Sequence, residues 1–403
     1  MRTLAVLSLH TSPLVQPGSG DSGGMNVYVR ELVAALAQAG VRCSVYVRRW
    51  RDDLPATVEV EPGFRVVHVD AGPPDLPKGA LPEVIDEFSA AVLDDIVALG
   101  DVDAIHANYW LSGVAGHALK HELDLPLVST FHTLARVKAE TGDPEPERRV
   151  EAEAKVIGCS DAILASCSAE AAQLVGLYGA DRERIETVPP GVEHAFFSPG
   201  DRGGARRALR LDAGPVLLFV GRIQPLKGLD VAICALAMLG RRDARLVVVG
   251  GPSGPDGEAE YARCRALADE VGLADQVEWV EPQPHHLLST YYRAADLVLV
   301  PSRSESFGLV ALEAAACGIP VVAAAVGGLR TQVEHGRTGF LVEGRDPRAL
   351  AAYAGEILDN PAMATAMGAR AHNRARGYTW STTAARLRRL YADLTARALV
   401  ECS

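Results

Sequence analysis

Short apolar runs alternate with helix-length stretches twice along this chain, and that alternation limits the open folds more than any other feature. In the first half "TLAVLSLH" precedes a helix from about Asn26, and "RCSVYVRR", "FRVVHVD" and the helical "PEVIDEFSAAVLDDIVAL" follow. Next come "AIHAN", "SGVAGHALKHEL", "PLVSTFH", a charged helix near Pro146–Ile157, "AILASC" and "SAEAAQLVGLYG". Apolar runs too short for helices, separated by helical periods, predict βαβ units and a parallel sheet. The stretch "IETVPPGVEHAFFSPGDRGGARRAL" breaks the rhythm with Pro and Gly and reads as a domain junction. The alternation then restarts with "PVLLFVGRI", "GLDVAICALAML", "RLVVVGG", "EAEYARCRALADEVG", "VEWVEP", "HHLLSTYYRAAD", "LVLVPS", "GLVALEAAACG" and "PVVAAAV". This predicts a second doubly wound domain, followed by nearly continuous helix from Pro347 to about Val400. At 403 residues the chain exceeds the size at which one core keeps growing, which agrees with two domains.

Charge and composition exclude several functions. A net charge of −11 argues against a nucleic-acid or anionic-membrane surface as the main partner. No apolar run approaches the roughly 20 residues that a membrane helix needs. The opening "MRTLAVLSLHTSP" reads as a buried strand and not as a signal peptide, because no small-residue cleavage site follows. Seven cysteines (Cys43, Cys159, Cys167, Cys234, Cys264, Cys317 and Cys402) stand without C-x-x-C pairs. An odd, unpatterned set fits reduced thiols better than a disulfide framework or a zinc site, so a soluble cytoplasmic protein is expected.

Three stretches carry chemistry. In "GSGDSGGMNVYVRELVAAL" the adjacent Gly23 and Gly24 open a helix, where unpaired N–H groups suit an anion; a tight strand–helix turn explains the same glycines equally well. "FVGRIQPLKG" puts Arg222 and Lys227 just past a buried strand, placed either for a diphosphate or as solvated loop charges. In "PSRSESFGLVALEAAACGIPVV", Glu305 precedes a helix start and Glu313 follows eight residues later between Leu312 and Ala314. A carboxylate among apolar neighbours needs a partner to offset its burial, and a ribose would supply one. Ligands of doubly wound sheets lie at the carboxyl ends of the strands. That rule predicts one cleft for His10, the glycine loop, Tyr109, His132, Gly221, Arg222 and Ser302–Glu305.

Taken together, G-G-M at the first helix, G-R-x4-K and E-x7-E resemble the retaining glycosyltransferases of the GT-B fold, and the similarity covers nearly the whole chain. Within that family "LHTSPLVQPGSGDSGGMNVYVREL", "HANYWLSGVAGH" and "FHTLARVK" are most similar to the mycothiol-pathway enzymes. The resemblance implies two Rossmann-like domains facing a cleft: an acceptor-binding domain over 1–195, a nucleotide-sugar domain over 196–375, and a 376–403 helix packing back on the first. It implies transfer of N-acetylglucosamine from UDP-GlcNAc to 1D-myo-inositol 3-phosphate, with no cofactor required for the chemistry. Arg222 and Lys227 would clamp the diphosphate, Glu313 would take the ribose hydroxyls, and Glu305 would sit by the donor sugar. His10, Gln16 and Pro17 match donor- or acceptor-side positions, Gly23 and Asn26 match further donor-side positions, and Gly24 would let the backbone approach both substrates. His132 would steer the donor sugar or face the anomeric centre, and a packed strand-end histidine explains it equally well. Lys78, Tyr109, Thr133 and Arg149 match acceptor-phosphate positions. Tyr292, Arg293 and Ala295 match a Mg2+ position, which Ile319 puts in doubt because it stands where Thr is common. A homodimer is compatible with the resemblance; nucleic acid and a membrane span are not expected. Asn108 and "ASCSAEA" also depart from the family pattern and leave room for an aminocyclitol or thiol acceptor. A nucleotide-sugar 2-epimerase would share the two domains but would not need the Lys78–Arg149 set.

Overall fold

The first apolar run becomes strand β1 (Thr3–Leu7), buried along its whole length. The computed structural model describes residues 2–18 and 20–402, and these divide into two α/β units. Unit 1 comprises Met1–Val15, Met25–Pro190 and Trp380–Ser403; unit 2 comprises Gln16–Gly24 and Gly191–Thr379.

In unit 1 the chain continues through β2 (Arg42–Arg48), β3 (Thr57–Glu61), β4 (Phe64–Val69), β5 (Ala104–Asn108), β6 (Leu127–Thr130), β7 (Ala162–Ala165) and β8 (Ile185–Thr187). They form one sheet in the order β3-β4-β2-β1-β5-β6-β7-β8. All pairings are parallel except β3 with β4. β3 was not expected from the sequence: "TVEVE" is short, only partly buried, and carries Glu59 and Glu61, as an edge strand does. Unit 2 holds β9 (Val216–Val220), β10 (Arg245–Val249), β11 (Val277–Val280), β12 (Leu297–Val300), β13 (Val321–Ala324) and β14 (Gly339–Val342). Their order, β11-β10-β9-β12-β13-β14, is parallel throughout. Strand order reverses at β1, which lies between β2 and β5, and at β9, which lies between β10 and β12. The carboxyl ends of those strands are where such sheets bind ligands.

The chain returns to unit 1 through the helix Trp380–Leu394. Trp380, Ala384, Leu387, Tyr391 and Leu394 recur at helical spacing and are buried with Tyr28, Leu32 and Val45. Trp380 meets the Tyr28 ring edge-on at 5.7 Å. Beneath it the imidazole of His106, fully buried on β5, is held between Tyr391 Oη at 2.8 Å and Thr130 Oγ1 at 2.8 Å.

Several boundaries differ from expectation. The units meet at Pro190 and Thr379, not at 195 and 375. Tyr378 holds the intervening turn on unit 2, its carbonyl accepting from Val192 N–H at 3.1 Å and its ring lying 6.1 Å from Phe307. The last helix stops at Leu394, short of the expected Val400. Val400 N–H donates to Asp161 Oδ1 at 2.7 Å, and Val400 O accepts from Lys120 Nζ at 3.0 Å, contacts that an onward helix would not make. The tail so docked brings Cys402 to Cys159 as a disulfide across 243 residues, against the expectation of seven reduced thiols. Cys43, Cys167, Cys234, Cys264 and Cys317 are free. Among the described residues no helix is long and apolar enough to cross a membrane.

His106 makes folding stability pH-dependent. Burial lowers its pKa from 6.5 to about 3, so the unfolded chain binds a proton across that interval and the folded chain does not. Its contribution is fully present above pH 6.5 and declines as the pH falls toward 3. Urea unfolding across this window should show falling stability in the wild type and a shallower decline in His106→Gln.

Candidate active site

In unit 2 the candidate residues come from the loops after β9 and β12, the two strands flanking the reversal of order. Lys227 Nζ and Glu305 Oε2 pair at 2.6 Å, each side chain about one-fifth exposed (23% and 19%). Ser302 Oγ lies 3.4 Å from the same carboxylate. The backbone of Glu305 is fixed by Gly328 N–H, which donates to its carbonyl at 2.8 Å. A Cβ on Gly327 would lie 2.1 Å from that carbonyl oxygen, so the close approach requires glycine.

The glycine loop 16–24, although it follows β1, belongs to unit 2. Gln16 Nε2 donates to Pro282 O at 2.7 Å, Gly20 N–H to Pro252 O at 3.2 Å, and Gly251 N–H to Gly18 O at 2.9 Å. These bonds tie the loop, Pro17 included, to the ends of β10 and β11. Arg222 lies against Gly23, where a Cβ would stand 2.9 Å from its Nε, and Arg222 Nη1 donates to Ser253 Oγ at 3.3 Å. Gly24 differs: a Cβ there would meet only Leu309 Cδ1, at an ordinary 3.4 Å. Of the two glycines, Gly23 is the one that makes room for a functional side chain.

Glu313 departs from the sequence reading. Its carboxylate accepts from Tyr292 Oη at 2.7 Å and lies 2.7 Å from His285 Nε2, so partners within the protein already offset its burial. No spacing signal in "PQPHHLLSTYY" marks His285 for this role. The same geometry bears on the Mg2+ position. The Tyr292 hydroxyl is spent on Glu313, the Arg293 guanidinium donates to Ser198 O and Phe196 O, and Ala295 has no polar side-chain atom. These three side chains do not fit a divalent cation, which takes oxygen ligands without a competing positive charge.

In unit 1 the loops after β1, β5 and β6 bring His10, Tyr109, His132 and Thr133 to neighbouring strand ends, and Lys78 and Arg149 join them. The His10 and Tyr109 rings are 4.4 Å apart. Lys78 Nζ stands 5.8 Å and the Arg149 guanidinium carbon 5.0 Å from the Tyr109 ring centre. Arg149 Nη2 donates to Thr133 Oγ1 and to Thr133 O, both at 3.1 Å. Its remaining nitrogens face Glu153 at 2.7 Å and Glu145 at 2.8 Å, so this side chain, 3% exposed, braces the cluster more than it faces outward. Lys78 is exposed. Asn26, expected on the donor side, lies in unit 1, where its amide donates to Thr11 Oγ1 at 2.6 Å and Ser12 O at 2.7 Å.

His132 has a left-handed backbone (φ 61°) and its Nε2 lies 2.9 Å from Asn108 Oδ1. Burial and the neighbouring His106 push its pKa down to about 3, so the ring is neutral at pH 7. Since an amide oxygen only accepts, Nε2 is the protonated nitrogen in this pairing.

With this geometry in view, comparison with known proteins is specific. The family profile of glycosyl transferases group 1 matches residues 204–374, and that of glycosyltransferase family 4 matches residues 22–196. Sucrose-phosphate synthase from Thermosynechococcus elongatus superposes with a TM-score of 0.92 at 33% identity, over 98% of this chain and 100% of that one. Fold and comparisons together define a nucleotide-sugar-dependent glycosyltransferase of the GT-B class. The D-inositol 3-phosphate glycosyltransferase of Thermobispora bispora is 47% identical over 98% of this chain and 95% of its own. The enzyme of that name from Acidothermus cellulolyticus is 48% identical over 98% and 91%. The chain belongs to the family of D-inositol 3-phosphate glycosyltransferases.

The network around Glu313 yields a test. Glu313→Ala strands the fully buried Tyr292 hydroxyl, and an unsatisfied buried polar group costs about 1–3 kcal/mol. Thermal unfolding should show a lowered midpoint for Glu313→Ala and a smaller loss for Glu313→Gln, whose amide oxygen still accepts from Tyr292.

Proposed function

We propose that this chain transfers N-acetylglucosamine from UDP-GlcNAc to 1D-myo-inositol 3-phosphate with retention at the anomeric carbon, a step of mycothiol biosynthesis. The grouping of Lys78, Thr133 and Arg149 around Tyr109 carries the reading. A phosphomonoester calls for an accessible cation and several hydroxyl donors at one place, and that set supplies them. The names of the two relatives point to the same acceptor. Lys78 would meet the phosphate as an exposed ammonium, with the hydroxyls of Tyr109 and Thr133. Arg149 would act through Thr133 and Tyr109, holding both in place and contributing its charge.

On the donor side, Arg222 and Lys227 would face the diphosphate. Lys227 already has an anionic partner in Glu305, and an incoming diphosphate replaces or shares that contact without exposing a bare charge to burial. As the sugar–phosphate bond breaks, negative charge grows on the β-phosphate, and preorganised cations stabilise that change most. The acceptor oxygen attacks the face that the nucleotide leaves, and the departing phosphate oxygen takes its proton. His132, neutral at pH 7, acts neither as a proton donor through an imidazolium nor as a fixed cation. Its role is a hydrogen bond to the donor sugar in the orientation that Asn108 sets. Glu313 would offer its carboxylate oxygens to the ribose in addition to His285 and Tyr292.

UDP release from UDP-GlcNAc, measured with inositol 3-phosphate, with free inositol and with neither, tests the assignment. Strong stimulation by the phosphorylated cyclitol alone is expected; equal turnover with free inositol would favour an aminocyclitol or thiol acceptor. Lys78→Ala should reduce the preference for the phosphorylated acceptor by about 10- to 150-fold, the equivalent of roughly 1.5–3 kcal/mol for a hydrogen bond to a charged group. Lys227→Ala should lower kcat by about 100-fold or more while raising the donor KM far less, as for a contact that strengthens in the transition state. An unchanged kcat with a raised KM would make Lys227 a ground-state anchor only.

A further inference from the structure

The docked C-terminal tail creates a second constellation in unit 1 that the transfer reaction does not use. His117 and His121 lie one turn apart on the helix Trp110–Leu123 and so project from one face. Cys159 ends the helix Glu147–Cys159, and Cys402 arrives on the tail. One ligand atom from each of the four residues lies within 4.8 Å of all the others. Cys159 Sγ stands 3.5 Å from His121 Nε2, and the two imidazole rings are 4.8 Å apart at 79°. His117 Nε2 is buried without a hydrogen-bond partner. The Cys159–Cys402 disulfide gives this buried His117 nitrogen no partner.

Four soft or borderline donors of this kind match one ion closely. Tetrahedral zinc takes sulfur at about 2.3 Å and nitrogen at about 2.0–2.1 Å, which sets sulfur and nitrogen roughly 3.6 Å apart around it. The 3.5 Å between Cys159 and His121 agrees with that edge. Oxygen-seeking cations are disfavoured by a site made only of imidazole and thiolate. The surroundings are also fixed. Lys120, 2% exposed, donates to Cys159 O at 2.8 Å, to Asp161 Oδ1 at 2.9 Å and to Val400 O at 3.0 Å, so one buried ammonium aligns both cysteine-bearing segments.

We propose that His117, His121, Cys159 and Cys402 bind one zinc ion as a closed Cys2His2 site that clamps the C-terminal tail to the helices Trp110–Leu123 and Glu147–Cys159. On binding, each cysteine releases its proton to solvent as its sulfur bonds to the metal, and each imidazole gives a neutral nitrogen lone pair. No electrons are transferred, and the two thiolates cancel the charge of the ion. The Cys159–Cys402 disulfide is the competing oxidised form. The site is structural, since four protein ligands leave no open position for substrate or water.

The test uses the full-length chain, purified under reducing conditions without chelator and analysed for metal by mass spectrometry. About one zinc per chain is expected for a structural site. Cys402→Ser and His117→Ala should each lose most of it, and a disulfide would not require His117. The Cys402 variant changes a half-buried position near the end of the tail and leaves the buried Cys159 intact, which keeps the test informative if Cys159→Ser fails to fold. Replacement by Co2+ should give the visible absorption of a tetrahedral thiolate-ligated site in the wild type and not in the variants. The proposal is overturned if the reduced wild type takes up no zinc. It is equally overturned if His117→Ala retains as much metal as the wild type, which would mark adventitious surface binding.

Discussion

A parallel strand buried on both faces has nowhere to carry polar chemistry except beyond its last residue, and this constraint organises both units. β1, β5 and β6 are buried from end to end, so the first side chains free to act are those just past Leu7, Asn108 and Thr130. Neighbouring strands stand about 4.8 Å apart, which lets residues a hundred positions apart in sequence meet at adjacent ends. The His10 and Tyr109 rings come within 4.4 Å of one another for this reason. In unit 2 the same logic puts Arg222 and Lys227 after β9 and Glu305 after β12, the strand paired with it.

Paired charges in the two units fall into two kinds, and burial separates them. Arg149 with Glu153, and Lys120 with Asp161, are almost inaccessible pairs. Removing one member of such a pair leaves its partner charged and desolvated, which costs about 3–5 kcal/mol, so they serve as frame members. Lys227 and Glu305 retain about one-fifth of their exposure, 23% and 19%. Their pairing is partly screened and can be exchanged for contacts to an arriving anion at smaller cost. The contrast suits one set to holding the fold and the other to exchanging partners.

What the sequence made legible follows the reach of each signal. Apolar runs such as "TLAVLSLH" and "PVLLFVGRI" mark buried strands because burial on both faces is a local property of the run. The β3 edge escaped because its alternation is brief and its burial partial. The glycine loop 16–24 stands out in the sequence as either an anion-facing helix start or a tight turn, but its attachment to Pro252 and Pro282 joins residues more than two hundred positions apart, which periodicity does not encode. Glu313 was correctly read as a buried carboxylate in need of a partner. That the partners are His285 and Tyr292 depends on tertiary packing. The cysteine count misled for the same reason: Cys159 and Cys402 meet only because Lys120 and Asp161 hold the tail, and no spacing rule reaches across 243 residues.

Backbone strain adds a further level to the first unit's site. Tyr109 (φ 74°) and His132 (φ 61°) hold positive-φ conformations that side-chain-bearing residues rarely adopt. Each costs on the order of 1–3 kcal/mol and persists only where surrounding contacts over-determine it. Those contacts are present: Tyr109 N–H donates to Thr130 O at 2.8 Å, Thr133 N–H to Phe131 O at 2.7 Å, and His132 Nε2 pairs with Asn108. The first and last of these join the ends of β5 and β6, and the second closes the turn after β6 on itself. The strained turn at one strand end is therefore held by the strand beside it, and the two rings are set by the sheet's own hydrogen bonding. A substitution at Asn108 would reach His132 through the lost side-chain hydrogen bond, whereas the Thr130 carbonyl that holds Tyr109 is kept whatever side chain stands there.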